Sequence, residues 1–332
     1  MWKKRVVVAA AAALMAVGLL AGCGSDSSND SGANKTYKVG VVQLVEHPAL
    51  DAANKGFVDG LASKGFKDNV KIDQQNAQAD QSNLNSIAQR FVADRDDLVL
   101  AIATPAAQAM ANATKDIPIL GTAITDYVQA KLVKSDEKPG TNVSGTTDMN
   151  PVEKQVDLIT RILPNAKKVG IIYSASEVNS QLQAERMKKH AQEKGLEVVE
   201  MTVQNVNDIQ QVAQNLVTQG VEAIYVPTDN VVVSAMPNLV KITDAAKIPV
   251  FPGEDNVVKM GGLATYSVDY YQLGFQTGVM GAKILSGEAK IEDMPVESQK
   301  EFKLVINQDV ANRLGITIPA DVLQEAGKIN NT

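Results

Sequence analysis

The chain has 332 residues, with 32 lysines and arginines against 38 aspartates and glutamates, and a net charge of −6. An acidic balance without a basic stripe disfavours a nucleic-acid partner and electrostatic docking on anionic lipid. A single cysteine excludes an internal disulfide, and the length suggests about two domains.

The N-terminus opens with a basic head, Met1-Trp2-Lys3-Lys4-Arg5, followed by an apolar run from Val6 to Leu20. That run is shorter than the ~20 residues a membrane-spanning helix needs. A basic head, a short apolar core and a small-residue cleavage site describe a secretory signal peptide. The site reads Leu20-Ala21-Gly22-Cys23, which resembles the lipobox of bacterial lipoproteins. The resemblance implies removal of residues 1–22 and lipidation of Cys23, which would anchor the chain on the extracytoplasmic face of the cell membrane. Residues 23–36 are small, polar and aperiodic, so they are expected to form a flexible tether. Losing the basic head makes the mature chain more acidic, and the only tryptophan, Trp2, leaves with it.

Beyond the tether the chain repeats itself. Lys38-Val39-Gly40-Val41-Val42-Gln43 recurs as Lys168-Val169-Gly170-Ile171-Ile172-Tyr173, and Ile117-Pro118-Ile119-Leu120 as Ile248-Pro249-Val250-Phe251. Leu84–Val92 and Leu98–Ile102 find counterparts in Ile209–Val217 and Glu222–Val226, in the same order. An ordered set of matches argues for two similarly built lobes. Short Val/Ile/Leu-rich runs at Val39–Leu44, Val70–Gln75, Leu98–Ala103 and Ile119–Ala123 read as buried parallel strands. Val169–Tyr173, Leu196–Thr202, Ala223–Val226 and Val250–Phe251 repeat the pattern, with amphipathic helices between the strands of each half. Alternation of this kind implies right-handed crossovers and a doubly wound α/β sheet in each lobe. Further on, strands are expected at Ala264–Ser267 and Phe302–Ile306, and helices at Tyr271–Leu285 and Gln308–Leu314.

Ligands of open α/β sheets bind beyond the carboxyl ends of the strands. The residues there are Glu46, then Thr104, Pro105 and Ala106, then Thr122 and Thr125 in the first half. In the second half they are Ser174 and Asn179, then Thr228, Asp229 and Asn230, then Glu254. Hydroxyls and helix N-termini suit a carboxylate, and acidic side chains such as Glu46, Asp229 and Glu254 suit an ammonium. The set holds no lysine or arginine, so a zwitterion fits better than a phosphorylated ligand. Thr104 could equally cap a helix, Asp229 and Asn230 could form a turn, and Tyr266, Tyr270 and Tyr271 could be hinge or core residues. His47 is a poor metal candidate, because the only other histidine, His190, falls on an expected exposed helix face. No metal, cofactor or enzymatic activity is expected, since no nucleophile-elbow, zinc-hydrolase, phosphate-loop or dinucleotide motif occurs. Asp229→Ala is expected to weaken binding without disturbing the fold.

Several loop stretches carry a resemblance. Val45-Glu46-His47-Pro48-Ala49-Leu50-Asp51, Ala103-Thr104-Pro105-Ala106-Ala107-Gln108, Pro227-Thr228-Asp229-Asn230 and Thr265–Gly274 are similar to ABC transporter substrate-binding proteins of the tryptophan/tyrosine type. The resemblance implies the type I periplasmic-binding-protein fold, with two Rossmann-like lobes joined by a three-crossover hinge. It places residues 37–147 and 268–292 in lobe 1, and 148–267 and 300–328 in lobe 2. It implies a monomer that closes on a small amino acid, an aromatic one being the expected class, and that works with a membrane permease and its ATPase. A ligand-sensing lipoprotein for a membrane receptor, a binder of a sugar or nucleoside, and a secreted enzyme are the competing readings.

Overall fold

The computed structural model describes residues 35–328; the signal segment, Cys23 and nearly all of the tether lie outside the described residues. The first half runs β1 (Tyr37–Gln43), α1 (Pro48–Ser63), β2 (Val70–Asn76), α2 (Gln81–Asp94), β3 (Leu98–Ile102), α3 (Thr104–Ala113), β4 (Ile119–Ile124) and β5 (Val143–Thr147). The second runs α4 (Val152–Ile162), β6 (Lys168–Ser174), α5 (Val178–Glu193), β7 (Glu197–Val203), α6 (Ile209–Thr218), β8 (Ala223–Val226), α7 (Asn230–Ser234), α8 (Met236–Ala245), β9 (Val250–Pro252), α9 (Asp255–Lys259) and β10 (Ala264–Ser267). The tail adds α10 (Tyr270–Leu285), β11 (Glu297–Ser298), β12 (Lys303–Ile306), α11 (Gln308–Leu314), α12 (Ala320–Glu325) and β13 (Gly327–Lys328).

Two sheets of matching order result. The first is β11-β5-β4-β3-β1-β2 and the second β7-β6-β8-β9, with every pair parallel. β3 is buried at all its residues, as expected of a central parallel strand covered on both faces. Each sheet reverses its winding beside its first strand, between β1 and β3 in one and between β6 and β8 in the other. These are the switch points at which loops diverge and leave a crevice. Lobe 2 is extended by β10, β12 and β13, where β10 and β12 pair antiparallel. This departs from a purely parallel pattern because β12 re-enters lobe 2 from lobe 1 and runs back along β10. β5 was hidden from the sequence reading by its polar composition. Its Thr146 hydroxyl pairs with those of Thr122 (3.1 Å) and Thr277 (2.8 Å), which makes burial affordable for a threonine-rich strand.

One apolar core gathers side chains from Val39 to Val143 and again from Val268 to Met294. Residues from Val152 to Ala264 and from Leu304 to Val322 pack into separate clusters. The chain therefore passes between lobes after β5, after β10 and after β11. The passages are tied together. Gln299 accepts from the Asp269 N–H at 2.9 Å and donates to the Asp269 carbonyl at 2.6 Å, and Tyr270 donates its hydroxyl to Asp148 at 2.8 Å.

What brings the tail back to lobe 1 is a close helix contact. Ala53 faces Gly274 and Phe57 faces Gly278, so α1 and α10 run parallel with both N-termini at the same end. A Cβ on Gly274 would lie 1.9 Å from the Ala53 carbonyl oxygen, and one on Gly278 2.3 Å from that of Phe57. Only glycine permits backbones this near. Gly274→Ala should therefore lower unfolding stability by about 1–3 kcal/mol, the usual cost of forcing atoms into a filled contact. Urea denaturation would measure it, and an unchanged midpoint would contradict the packing argument.

Candidate functional site

The parallel docking of α1 and α10 delivers two side chains to one place. His47 is the N-cap residue of α1, and Tyr270 is the first residue of α10. Both face a small cavity between the lobes, together with Leu50 and Ala123 from lobe 1 and Asp148 from the first crossing after β5. Thr228, Asp229, Asn230, Val233 and Glu254 close it from lobe 2. None of these ten lining residues is a lysine or arginine.

The walls touch across the cleft. His47 Nε2 meets Asn230 Oδ1 at 3.1 Å, Thr125 Oγ1 meets Thr228 Oγ1 at 3.2 Å, and Gln183 donates to Thr125 at 3.3 Å. His47, Thr125, Thr228 and Asn230 are all buried by this contact. The structure is thus of the closed form.

The acidic side chains have different duties. Asp229 caps α7, accepting from the Val232 N–H at 2.8 Å, and braces the end of β6 by accepting from the Ser174 N–H and the Ser180 hydroxyl, both at 2.7 Å. Glu177, buried beside it, accepts from Asn230 at 2.5 Å, from Asn179 at 3.1 Å and from the Val231 N–H at 3.0 Å. Burial, and then the nearby Asp229, push the Glu177 carboxyl up. Asp148 accepts from Thr125 and Tyr270, but burial outweighs these bonds and raises its carboxyl too. Glu254 stands apart, because its Oε1 is buried without a hydrogen-bond partner. Burial is the main reason its carboxyl lies well above the usual range, with Asp255 and Asp148 adding to it.

His47 faces Glu254 across the cavity, with Nδ1 3.9 Å from Oε1, and Nδ1 is likewise buried and unpartnered. That separation is too long for a hydrogen bond. Desolvation lowers the imidazole to about 4 against the pull of Asn230 and Asp51. The imidazole is therefore neutral near neutral pH, and no hydrogen-bonded ion pair joins the two groups.

The sequence-derived candidates divide accordingly. Thr228, Asp229, Asn230 and Glu254 line the cavity. Thr125 and Asn179 stand at its margin, where Asn179 donates to the Thr228 carbonyl at 2.9 Å. Ser174 is enclosed in lobe 2, its hydroxyl 2.9 Å from that of Ser176. Thr122 belongs to the buried threonine chain inside lobe 1. Glu46 is exposed and borders an open groove on lobe 1 with Gln43, Lys55 and Gln75, outside the cavity. Thr104 is the first residue of α3 rather than its cap, and its buried hydroxyl has no partner. Pro105 and Ala106 complete that first turn. Before it, Ala103 adopts φ 82 and ψ 153, and Ala123 at the end of β4 adopts φ 55, conformations costing about 1–3 kcal/mol each outside glycine. Both strained residues sit at carboxyl ends of strands, where ligand loops begin.

Sequence reasoning missed His47, Asp148, Glu177, Gln183 and Tyr270 as cleft residues. His47 was recognisable only as a helix start, and Asp148 follows the unrecognised β5. Asp229 was expected to be dispensable for folding. Its three local bonds argue otherwise: Asp229→Ala should reduce the stability of the ligand-free protein by about 2–4 kcal/mol, from a lost cap and a stranded Ser174 N–H. Chemical denaturation monitored by circular dichroism would test this, and an unaltered curve would refute the structural role.

Comparison with known proteins agrees with this geometry. Residues 38–330 match the family model described as ABC transporter substrate binding protein. A curated relative, the "Tyrosine-binding protein" of Clostridioides difficile, is 43% identical over 320 residues, 94% of this chain and 92% of the relative. An ABC domain from Streptococcus pneumonia, solved in complex with L-Trp, is 44% identical and superposes with a TM-score of 0.86, covering 89% of this chain and 100% of that one. The ligand-free, open structure of a substrate binding protein with adhesive properties from Clostridium difficile is 45% identical at the same coverage, yet its TM-score is 0.66. Near-equal identity with unequal superposition points to lobe arrangement, and this structure has the arrangement of the ligand-bound relative. On the match along nearly all its described length, the chain belongs to the ABC transporter substrate-binding protein family.

Proposed function

We propose that this substrate-binding protein captures a free aromatic amino acid between its two lobes and presents the closed form to a membrane permease driven by its ATPase. The observation that carries the reading is the cleft itself, a small cavity at both switch points with unpartnered buried polar atoms and no cationic side chain. A zwitterion supplies what such a site lacks. Its carboxylate suits the buried, unpartnered Thr104 hydroxyl in the first turn of α3. Leu50, Val233 and the Tyr270 ring offer apolar surface for a side chain. The tyrosine and tryptophan named for two relatives agree with this chemistry. Residues 37–147 with 268–292, and 148–267 with 300–328, are proposed to move as rigid lobes in a monomer. Ligand binds both lobes at once, so it favours the closed state by the difference in affinity between the two states. Binding proceeds without turnover.

Among the described residues no helix is long and apolar enough to cross a membrane. We place the protein on the extracytoplasmic face, held by lipid on Cys23. Cys23→Ala should move the protein from the membrane fraction to the medium, and continued membrane retention would count against the anchor.

A thermal-shift screen of the mature chain should give stabilisation of about 2.7 kcal/mol by L-tyrosine or L-tryptophan at a hundred times the dissociation constant. Small-angle scattering should show compaction with the same ligands. Stabilisation by sugars or nucleosides, with none by amino acids, would overturn the ligand class.

A further inference from the structure

We infer that Thr125 is a positioning residue of the closed state: its hydroxyl joins lobe 1 to a buried hydrogen-bond chain of lobe 2, and this join slows the release of a ligand it does not touch. The inference rests on the amino acid reading above and adds to it a residue that holds the lobes together behind the ligand.

Donor and acceptor chemistry gives the chain a direction. The Thr228 N–H donates to Gln183 Oε1 at 3.3 Å, which turns the Gln183 amide nitrogen towards the Thr228 hydroxyl at 2.5 Å. An amide nitrogen only donates, so the Thr228 hydroxyl accepts there and directs its own proton to Thr125 Oγ1, 3.2 Å away across the cleft. Gln183 reaches the same Thr125 oxygen at 3.3 Å. The Thr125 hydroxyl in turn donates to Asp148 Oδ1 at 3.1 Å, and Tyr270 donates to Asp148 Oδ2 at 2.8 Å. Gln183, Thr228, Thr125, Asp148 and Tyr270 are each less than a tenth exposed, so water does not compete for these bonds while the lobes are closed.

The local backbone aims Thr125 at this join. β4 and β5 shift register between Gly121 and Ile124, where Ala123 takes φ 55. An irregularity of this kind re-aims the side chains beside it. Just beyond, the Thr147 hydroxyl donates to the Thr125 carbonyl at 2.7 Å and the Asp148 N–H to the Ile124 carbonyl at 3.1 Å. Thr125 is thus fixed to lobe 1 and to the start of the first crossing, while its side chain meets lobe 2. Neither Thr125 nor Gln183 lines the cavity. In this the join differs from the contact of His47 with Asn230, both of which do. Gln183 and Thr228 bond within lobe 2 whether the lobes are open or closed, but their bonds to Thr125 exist in the closed form alone. A contact made in one of two states shifts the balance towards that state, whatever ligand lies in front of it.

Titration calorimetry and stopped-flow release on the mature chain, with L-tyrosine and L-tryptophan, test this. Thr125→Val keeps the shape and removes the hydroxyl. It should raise the dissociation constant of both ligands by the same factor, about fivefold to fiftyfold, the usual effect of losing neutral hydrogen bonds. The change should lie in the release rate, with association altered by less than about twofold. Thr125→Ser should restore wild-type release. Gln183→Met should also speed release, and combining it with Thr125→Val should add nothing to Thr125→Val alone, because both act through one join. Unchanged release in Thr125→Val, a factor that differs between the two ligands, no recovery with serine, or effects that multiply in the double variant would overturn the inference. If circular dichroism shows Thr125→Val unfolded, Gln183→Met decides: it must speed release of both ligands equally, and unchanged release rejects the join. Failure of wild type to bind either amino acid overturns the proposed function and this inference with it, whereas the variant results overturn the inference and leave that function standing.

Discussion

Closing the two lobes takes several carboxyl groups out of water without giving them a cation. Asp148, Glu177, Asp229 and Glu254 are each less than a tenth exposed, and the cavity they surround has no basic side chain beyond the neutral His47. Burying ionised groups unpaired is costly, so each is either heavily hydrogen-bonded or held towards its neutral form. Asp229 and Glu177 are heavily hydrogen-bonded and serve lobe 2 as scaffold, although burial still raises both carboxyls. Glu254 is held towards its neutral form.

The rest of the architecture sets the geometry of that cleft. Parallel α1 and α10, locked by glycine contacts, hold His47 and Tyr270 at one rim. Three passages between the lobes are tied to one another by hydrogen bonds. The strained Ala103 and Ala123 sit where β3 and β4 end, so part of the folding energy is invested in the shape of the loops that meet the ligand.

Coupling of ligand to lobe arrangement is what a transport binding protein requires. The permease can distinguish loaded from empty protein only if the ligand changes the outer surface, and lobe closure does that. The superposition values fit such a change: a relative solved with L-Trp aligns at a TM-score of 0.86 and a ligand-free, open one at 0.66.

Much of this was legible in the residues alone. The duplicated Val/Ile-rich strands, the helical spacing between them and the turn chemistry after each strand are local signals. They determined two doubly wound lobes and directed attention to the strand-end loops, where Thr228, Asp229, Asn230 and Glu254 do meet. The sequence could not say which of two neighbours, Glu46 or His47, turns inward, because one residue along a loop reverses a side chain and only the docking of α1 on α10 settles it. Nor could it separate an Asp that caps a helix from a Glu with one buried, unpartnered oxygen. Type and position were similar for both, and the difference lies in which hydrogen-bond donors the opposite parts of the fold bring near. β5 escaped for a related reason: its threonines look soluble until partners far along the chain satisfy them. Local pattern specifies the elements, whereas hydrogen-bond satisfaction between distant segments, a property of the assembled tertiary structure, decides what each polar side chain is free to do.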